Sequence, residues 1–234
     1  MPIDKERYQR LVGKLIYISH TRPDIAYAVS VVSQFMHCPT EDHINIVNQI
    51  LRYLKSSPGK GLMFSRNHHL RVEGYTNVEW VGNISDRRTS CYFMFVGGNL
   101  ITWRSKKQKV IALSSVEAEF RGMAKGLCEL LWLRRLLTEI GFGPKCEMNL
   151  FCNNKAVTDI SHNPVQHDQT KHVEVEQHFI KQNFEAKIIR FPFVKYEDQL
   201  VDILTKAVCN KNFYKSLDKL GIKDLYTPTW GLLE

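Results

Sequence analysis

Leu70-Arg71-Val72-Glu73-Gly74-Tyr75-Thr76 alternates apolar and polar side chains, the period of two that marks a strand with one buried face. Further on, Cys91 to Val96 is β-branched and aromatic, Gly97-Gly98-Asn99 supplies a turn, and Leu100-Ile101-Thr102-Trp103 resumes the same character. Three strands in a meander are expected, and with them a sheet. Arg104-Ser105-Lys106-Lys107-Gln108-Lys109 reads as a basic kink, beyond which Lys109-Val110-Ile111-Ala112-Leu113 prolongs the third strand.

Toward the C-terminus the period lengthens to 3.6. Ser114 and Glu117 have capping-box spacing and open a long helix carrying Phe120, Met123, Leu127, Leu130, Leu131, Leu137 and Ile140, closed by Gly141. Met148-Asn149-Leu150-Phe151-Cys152 follows as a buried strand, Asn154 to Ile160 as a short helix, and Lys171 to Asn183 as another. Ile188-Ile189-Arg190-Phe191-Pro192-Phe193-Val194 is a strand whose proline requires an edge or a bulge. Gln199 to Lys206 begins a last helix that continues through Phe213, Tyr214 and Leu217. Strands, a long helix, a strand, helices, a strand and a helix make a mixed α/β domain with helices packed on a central sheet.

Toward the N-terminus, residues 1 to 65 read as helical. Leu11, Leu15, Ile16 and Ile18 precede a Pro23-Asp24 break, and Ile25, Ala28, Val29, Val32 and Phe35 follow at helical spacing as far as Pro39. Thr40 can cap a third helix with Ile44, Val47, Ile50, Leu51 and Leu54 on one stripe, stopped by Ser56-Ser57-Pro58-Gly59. The expected organisation is a small helical unit over residues 1–65 and an α/β domain over residues 66–234, without internal repeats.

Of 234 residues, 44% are hydrophobic and 24% charged, which excludes disorder as a whole-chain answer. Thirty-two Lys and Arg against 24 Asp and Glu give +8, a balance that suits a polyanionic partner, nucleic acid ahead of an anionic membrane. No apolar run approaches the roughly 20 residues of a spanning helix, and the start MPIDKERYQR lacks the apolar stretch of a signal peptide. The expectation is an intracellular protein, cytoplasmic or nuclear, with no membrane partner. Six scattered cysteines form no C-x-x-C pair and are read as reduced thiols. His167, His172 and His178 invite a zinc reading, but no cysteine pair accompanies them, and a polar helix with its lead-in loop is the preferred account.

Chemistry is sought first among polar residues at the ends of buried strands, where a sheet aims ligands into one crevice. Asn77 ends the first strand, Glu119 lies one turn into the long helix, Asn153 ends the fourth strand and Asp202 lies near the start of the last helix. Each has a plainer role: Glu119 and Asp202 suit helix starts, and the two asparagines suit polar strand ends. Glu117 is read as the capping partner of Ser114 rather than a ligand.

The chain resembles the ribonuclease H domain of copia-type retrotransposon polyproteins over nearly its whole length. The matching phrases are Tyr8-Gln9-Arg10-Leu11-Val12-Gly13, His20-Thr21-Arg22-Pro23-Asp24-Ile25, Ala112-Leu113-Ser114-Ser115 running into Glu117-Ala118-Glu119-Phe120, Thr170-Lys171-His172 and Asp202-Ile203-Leu204-Thr205-Lys206. The resemblance implies a ribonuclease H-like mixed five-stranded sheet with flanking helices. It implies that residues 1–65 are a remnant of the reverse transcriptase thumb and connection, without the polymerase palm. It also implies four carboxylates holding two Mg²⁺ ions about 3.5 to 4 Å apart, which cut the RNA strand of a hybrid.

The chain departs from that pattern at the site itself. Asn77 and Asn153 stand where the family has Asp, so Glu119 and Asp202 alone survive as anionic metal ligands. An asparagine keeps a carbonyl oxygen but brings no charge, and two dications held by two carboxylates repel each other. Nearby, Glu79 stands where the family usually has Asp, Val78 and Val81 where small residues are common, and Cys91 where Gly is usual, a pattern of drift rather than of a designed pair of substitutions. Trp103, Arg104, Lys106, Lys107 and Lys109 are the leading candidates for phosphate contact, with Asn154, Lys171, His172, Arg87 and Arg88 behind them. A solvated turn would look the same. In this family a hybrid is read by backbone, groove shape and 2′-hydroxyls.

The leading reading is a catalytically degenerate ribonuclease H-like domain that binds RNA/DNA hybrid or duplex RNA, with Mg²⁺ binding weak or lost. The alternatives are an active or residual Mg-dependent endonuclease and a domesticated protein-interaction module.

Overall fold

The computed structural model describes residues 4–79, 88–109, 112, 114–153 and 171–226, the side chains of 171–174 excepted. The chain divides into two compact units, residues 65–205 and the combination of residues 1–64 with 206–234. The sequence predicts a single cut near residue 65 with the C-terminal segment in the α/β domain; the division in space is discontinuous in the chain.

The first unit holds helices α1 (Lys5–Ser19), α2 (Ala26–Ser33) and α3 (Glu41–Ser56). Asp4 caps α1 by accepting from the Arg7 N–H, and Thr40 and His43 form a reciprocal capping box at α3. Tyr8, Val12, Leu15, Val29, Val32, Val47 and Ile50 make the core between them. The Pro23-Asp24 break is a 3-10 turn, Pro23–Ile25. There Arg22 pairs with the buried Asp24 at 2.7 Å, and Asp24 also accepts from the Tyr53 hydroxyl at 2.7 Å. A short antiparallel pair that the sequence reading missed joins β1 (Lys60–Leu62) to a C-terminal strand, Ile222–Asp224. Three-residue strands are too short to display a period.

The second unit is built on β2 (Val72–Glu79), β3 (Thr89–Val96), β4 (Asn99–Lys107), β5 (Met148–Phe151) and β6 (Ile189–Arg190). Their order is β4-β3-β2-β5-β6, antiparallel among the first three and parallel from β2 through β6. This is a mixed five-stranded sheet with flanking helices, as the resemblance implies. Gly97 and Gly98 both take positive φ, 57° and 76°, in the two-residue turn between β3 and β4. Helices α4 (Ser115–Glu139) and α5 (Lys171–Glu185) flank the sheet. Phe120, Met123, Leu127, Leu130 and Leu133 of α4 meet Met94, Met148, Leu150 and Ile189 of the sheet in the main core.

Three expectations need correction. Arg104 to Lys107 is not a kink: after a register shift at Ile101, β4 pairs residue by residue with β3 from Thr102 to Lys107, which pairs with Thr89, because an edge strand tolerates lysines and uses them to discourage further pairing. Residues 110, 111 and 113, expected to prolong that strand, lie outside the described residues. The last helix is two pieces, a 3-10 turn Leu200–Leu204 and α6 (Asn210–Lys219). The Asp202 carbonyl accepts from both the N–H and the hydroxyl of Thr205, which closes the first piece before Lys206. Finally, β6 is shorter than expected, with a bridge between Cys152 and Phe193 continuing beyond Pro192 at the sheet edge. The helix expected over Asn154 to Ile160 lies outside the described residues.

Candidate functional site

The parallel register of β2 and β5 pairs Tyr75 with Phe151. Two residues further along the chain stand Asn77, still within β2, and Asn153, just past the end of β5, so both asparagines reach the same end of the sheet. Across β3, Asn77 pairs with Cys91, which pairs with Ser105; Val78 pairs with Ser90 and then Lys106; Glu79 pairs with Thr89 and then Lys107. The lysines of β4 therefore belong to the same sheet end as Asn77, Lys106 one row beyond it and Lys107 two.

Helix α4 brings Glu119 to this end. It lies close on β2 because Gly122 leaves room for Val78: a Cβ on Gly122 would overlap the Val78 side chain. Ser114 caps the helix by accepting from the Glu117 N–H at 3.0 Å, as expected, while the Glu117 carboxylate pairs with Arg121. The Glu119 carboxyl is pushed from its ordinary 4.5 up to about 7, first by burial and then by Glu79, against the pull of Arg88.

Asp202 arrives from the 3-10 turn. Gln199 anchors that turn by donating from Nε2 to the Thr76 carbonyl of β2 at 3.1 Å, with its Oε1 accepting from the Val201 N–H. Asp202 is buried, and its Oδ1 accepts from Asn77 Nδ2 at 2.9 Å. The other end of the same amide is also engaged, since Asn77 Oδ1 accepts from the Val78 N–H at 2.8 Å. Across from Asn77 on β3, Cys91 is fully buried and donates to Ser105 Oγ; burial above all pushes its thiol up to about 12, with Glu79 and Asp202 adding to the rise.

These contacts test the Mg²⁺ cage that the fold family implies. Mg²⁺ wants several hard anionic oxygens in near-octahedral array. At Asn77 the amide presents an N–H toward Asp202 and has its oxygen turned to the backbone. Among the described residues no three His, Cys, Asp or Glu side chains gather as a metal-binding group. The donor set does not fit two Mg²⁺ ions.

The candidates for phosphate contact do not act as one patch. Strand alternation sends Arg104 to the α4 side of the sheet, the side on which its neighbour Thr102 donates to Glu129. Trp103, Ser105 and Lys107 point to the other side, where Ser105 donates to the Leu204 carbonyl. Lys106 and Lys109 are exposed. Asn154 and Arg87 lie outside the described residues, as do the side chains of Lys171 and His172. The sequence reading missed Gln199, whose only prior signal was its place before a run of buried residues, and it took Glu79 as a mere departure rather than a neighbour of Glu119.

No protein-family profile matches the chain. It is 38% identical over 220 residues to a retrovirus-related Pol polyprotein from transposon RE1 of Arabidopsis thaliana, covering 94% of this chain and 15% of that protein. With the corresponding polyprotein from transposon RE2 of the same plant it shares 37% identity over 231 residues, 98% of this chain and 16% of the relative. The chain belongs to the copia-type retrotransposon Pol polyproteins. The chain spans about one sixth of the length of these relatives. Among solved structures it is similar to LC11-RNase H1 in complex with RNA/DNA hybrid, with a TM-score of 0.43 and 14% identity, over 63% of this chain and 99% of that one. Among the described residues no helix is long and apolar enough to cross a membrane.

Proposed function

We propose that this protein binds RNA/DNA hybrid, or other duplex nucleic acid such as duplex RNA, inside the cell and cuts it little or not at all. Residues 1–65, in this reading, correspond to the thumb and connection of a reverse transcriptase. The hydrogen bond from Asn77 to Asp202 carries the proposal. Where metal-dependent cleavage needs two facing carboxylates, a neutral amide satisfies Asp202 directly and takes up the position from which a second anion would act. Binding does not need that cage. Lys106 and Lys107 stand one and two rows beyond Asn77 at the same end of the sheet, one on each side of β4 and each a separate phosphate contact, and the net charge of +8 favours a phosphate backbone.

The test uses the full chain. Fluorescence anisotropy with a labelled hybrid is expected to show affinity falling linearly in log salt, and Lys106→Glu with Lys107→Glu to reduce that slope by about 1 to 2. In Mg²⁺ the hybrid stays intact, whereas Asn77→Asp with Asn153→Asp restores cleavage by returning the two missing charges. Cleavage by the unmodified chain at an ordinary ribonuclease H rate, or no binding at low salt, overturns the proposal.

A further inference from the structure

The C-terminal half of α4 carries a second row of apolar side chains on the side away from the core. Cys128, Trp132, Leu136 and Ile140 recur every fourth residue, and Phe142 follows just past the helix end. Trp132 is 53% exposed, Ile140 58% and Phe142 57%, with Leu136 at 39%. One exposed apolar residue on a helix is ordinary, but a row of four is not. The core residues of the same stretch, Leu127, Leu130 and Leu133, already satisfy the packing demands of the helix.

We propose that this row docks a second copy of the chain, α4 against α4 in an antiparallel, two-fold symmetric pair. Three features select that occupant. Every-fourth-residue rows are the ridges that interdigitate when two helices cross at about −50°, the commonest helix packing. The row from Cys128 to Ile140 extends about 18 Å, enough for such a crossing. Charge then fixes the direction. Arg135 and Glu139 border one side of the row, both well exposed and bonded to each other at 2.9 Å. An antiparallel copy centred between them sets Arg135 opposite Glu139 twice over and turns Trp132 toward the partner's end of the row, near Ile140 and Phe142. A parallel copy would set like charges together. The pairing is isologous, so one patch serves both partners.

Sedimentation velocity on the full chain across a concentration series tests this. The expected result is a monomer–dimer equilibrium. Trp132→Lys, at an exposed position that leaves the fold intact by circular dichroism, raises the dimer dissociation constant by about tenfold or more. Arg135→Glu alone and Glu139→Arg alone each weaken the dimer, because each sets like charges across the axis, while mixing these two variants restores association as a heterodimer. A chain that stays monomeric at several hundred micromolar, a dimer indifferent to Trp132→Lys, or charge variants that fail to rescue each other when mixed would each overturn the proposal.

Discussion

Asn77 Nδ2 donates to Asp202 Oδ1 at 2.9 Å across 125 residues of sequence, and both side chains are buried. A buried carboxylate satisfied by an amide needs no cation to hold β2 and the 3-10 turn together. Asn77→Asp removes the donor and brings two carboxylates face to face, which raises the folded-state pKa of the pair above its unfolded value. The variant is expected to be destabilised by about 1–3 kcal/mol at pH 8 in the presence of a chelator. The deficit shrinks as pH falls toward 5 and one carboxyl takes a proton. The parent chain should melt at the same temperature with and without Mg²⁺. Thermal melts of the two proteins across pH and Mg²⁺ check this, and a parent chain strongly stabilised by Mg²⁺ would contradict it.

Glu119 gives the fold its own pH dependence. Its carboxyl titrates at about 7 when folded and near 4.5 otherwise, so the folded state holds the proton more tightly. The stability it contributes is complete below about pH 4.5 and is lost as pH rises through 7. Glu119→Gln has no proton to lose. Above pH 7.5 it should therefore be more stable than the parent, by on the order of 1–3 kcal/mol, with the advantage vanishing at pH 4.5. Urea unfolding at both pH values decides it; equal stability at pH 8 would mean that the carboxylate is well solvated.

How far the sequence could be read depended on range. The period of β2 was visible because one face of it is buried, and α4 announced itself through Ser114, Glu117 and a long apolar stripe. The basic run misled because its charge suggested a solvated turn, although the alternation of Trp103, Ser105 and Lys107 against Arg104 and Lys106 was there to be counted. Leu200, Ile203 and Leu204 suit a 3-10 turn as well as an α-helix, and it is the backbone bonds from Asp202 N–H to the Gln199 carbonyl and from Thr205 N–H to the Asp202 carbonyl that separate them. Glu119, Asn77 and Asp202 were named from phrases of sequence. The direction of the bond between the last two was beyond reach, since nothing local dictates which way an amide turns when its partner is so distant in the chain.

Thiol reactivity should sort the cysteines by burial. Cys38, Cys128, Cys146 and Cys209 are exposed, whereas Cys91 and Cys152 are buried. The Cys91 thiol, pushed up to about 12, offers almost no thiolate at pH 8. Mass spectrometry after brief alkylation of dilute folded protein is expected to show four modifications, with Cys91 and Cys152 modified only after unfolding. Rapid labelling of Cys91 in the folded chain would mean that the sheet beside Asn77 opens readily.

The contact between Gly122 and Val78 allows a test of sign. Alanine in a helix interior normally gains about 1 kcal/mol over glycine. Here the added Cβ would overlap Val78 on β2, so Gly122→Ala is expected to destabilise the parent by about 1–3 kcal/mol. Val78→Ala alone leaves a small void and costs about 1–2 kcal/mol. In the Val78→Ala background the obstruction is gone, and Gly122→Ala should then stabilise, reversing its sign. Urea denaturation of the four proteins measures the coupling directly. Additive effects would show that the helix can lift away from β2, and in that case Glu119 is not held where this close approach places it.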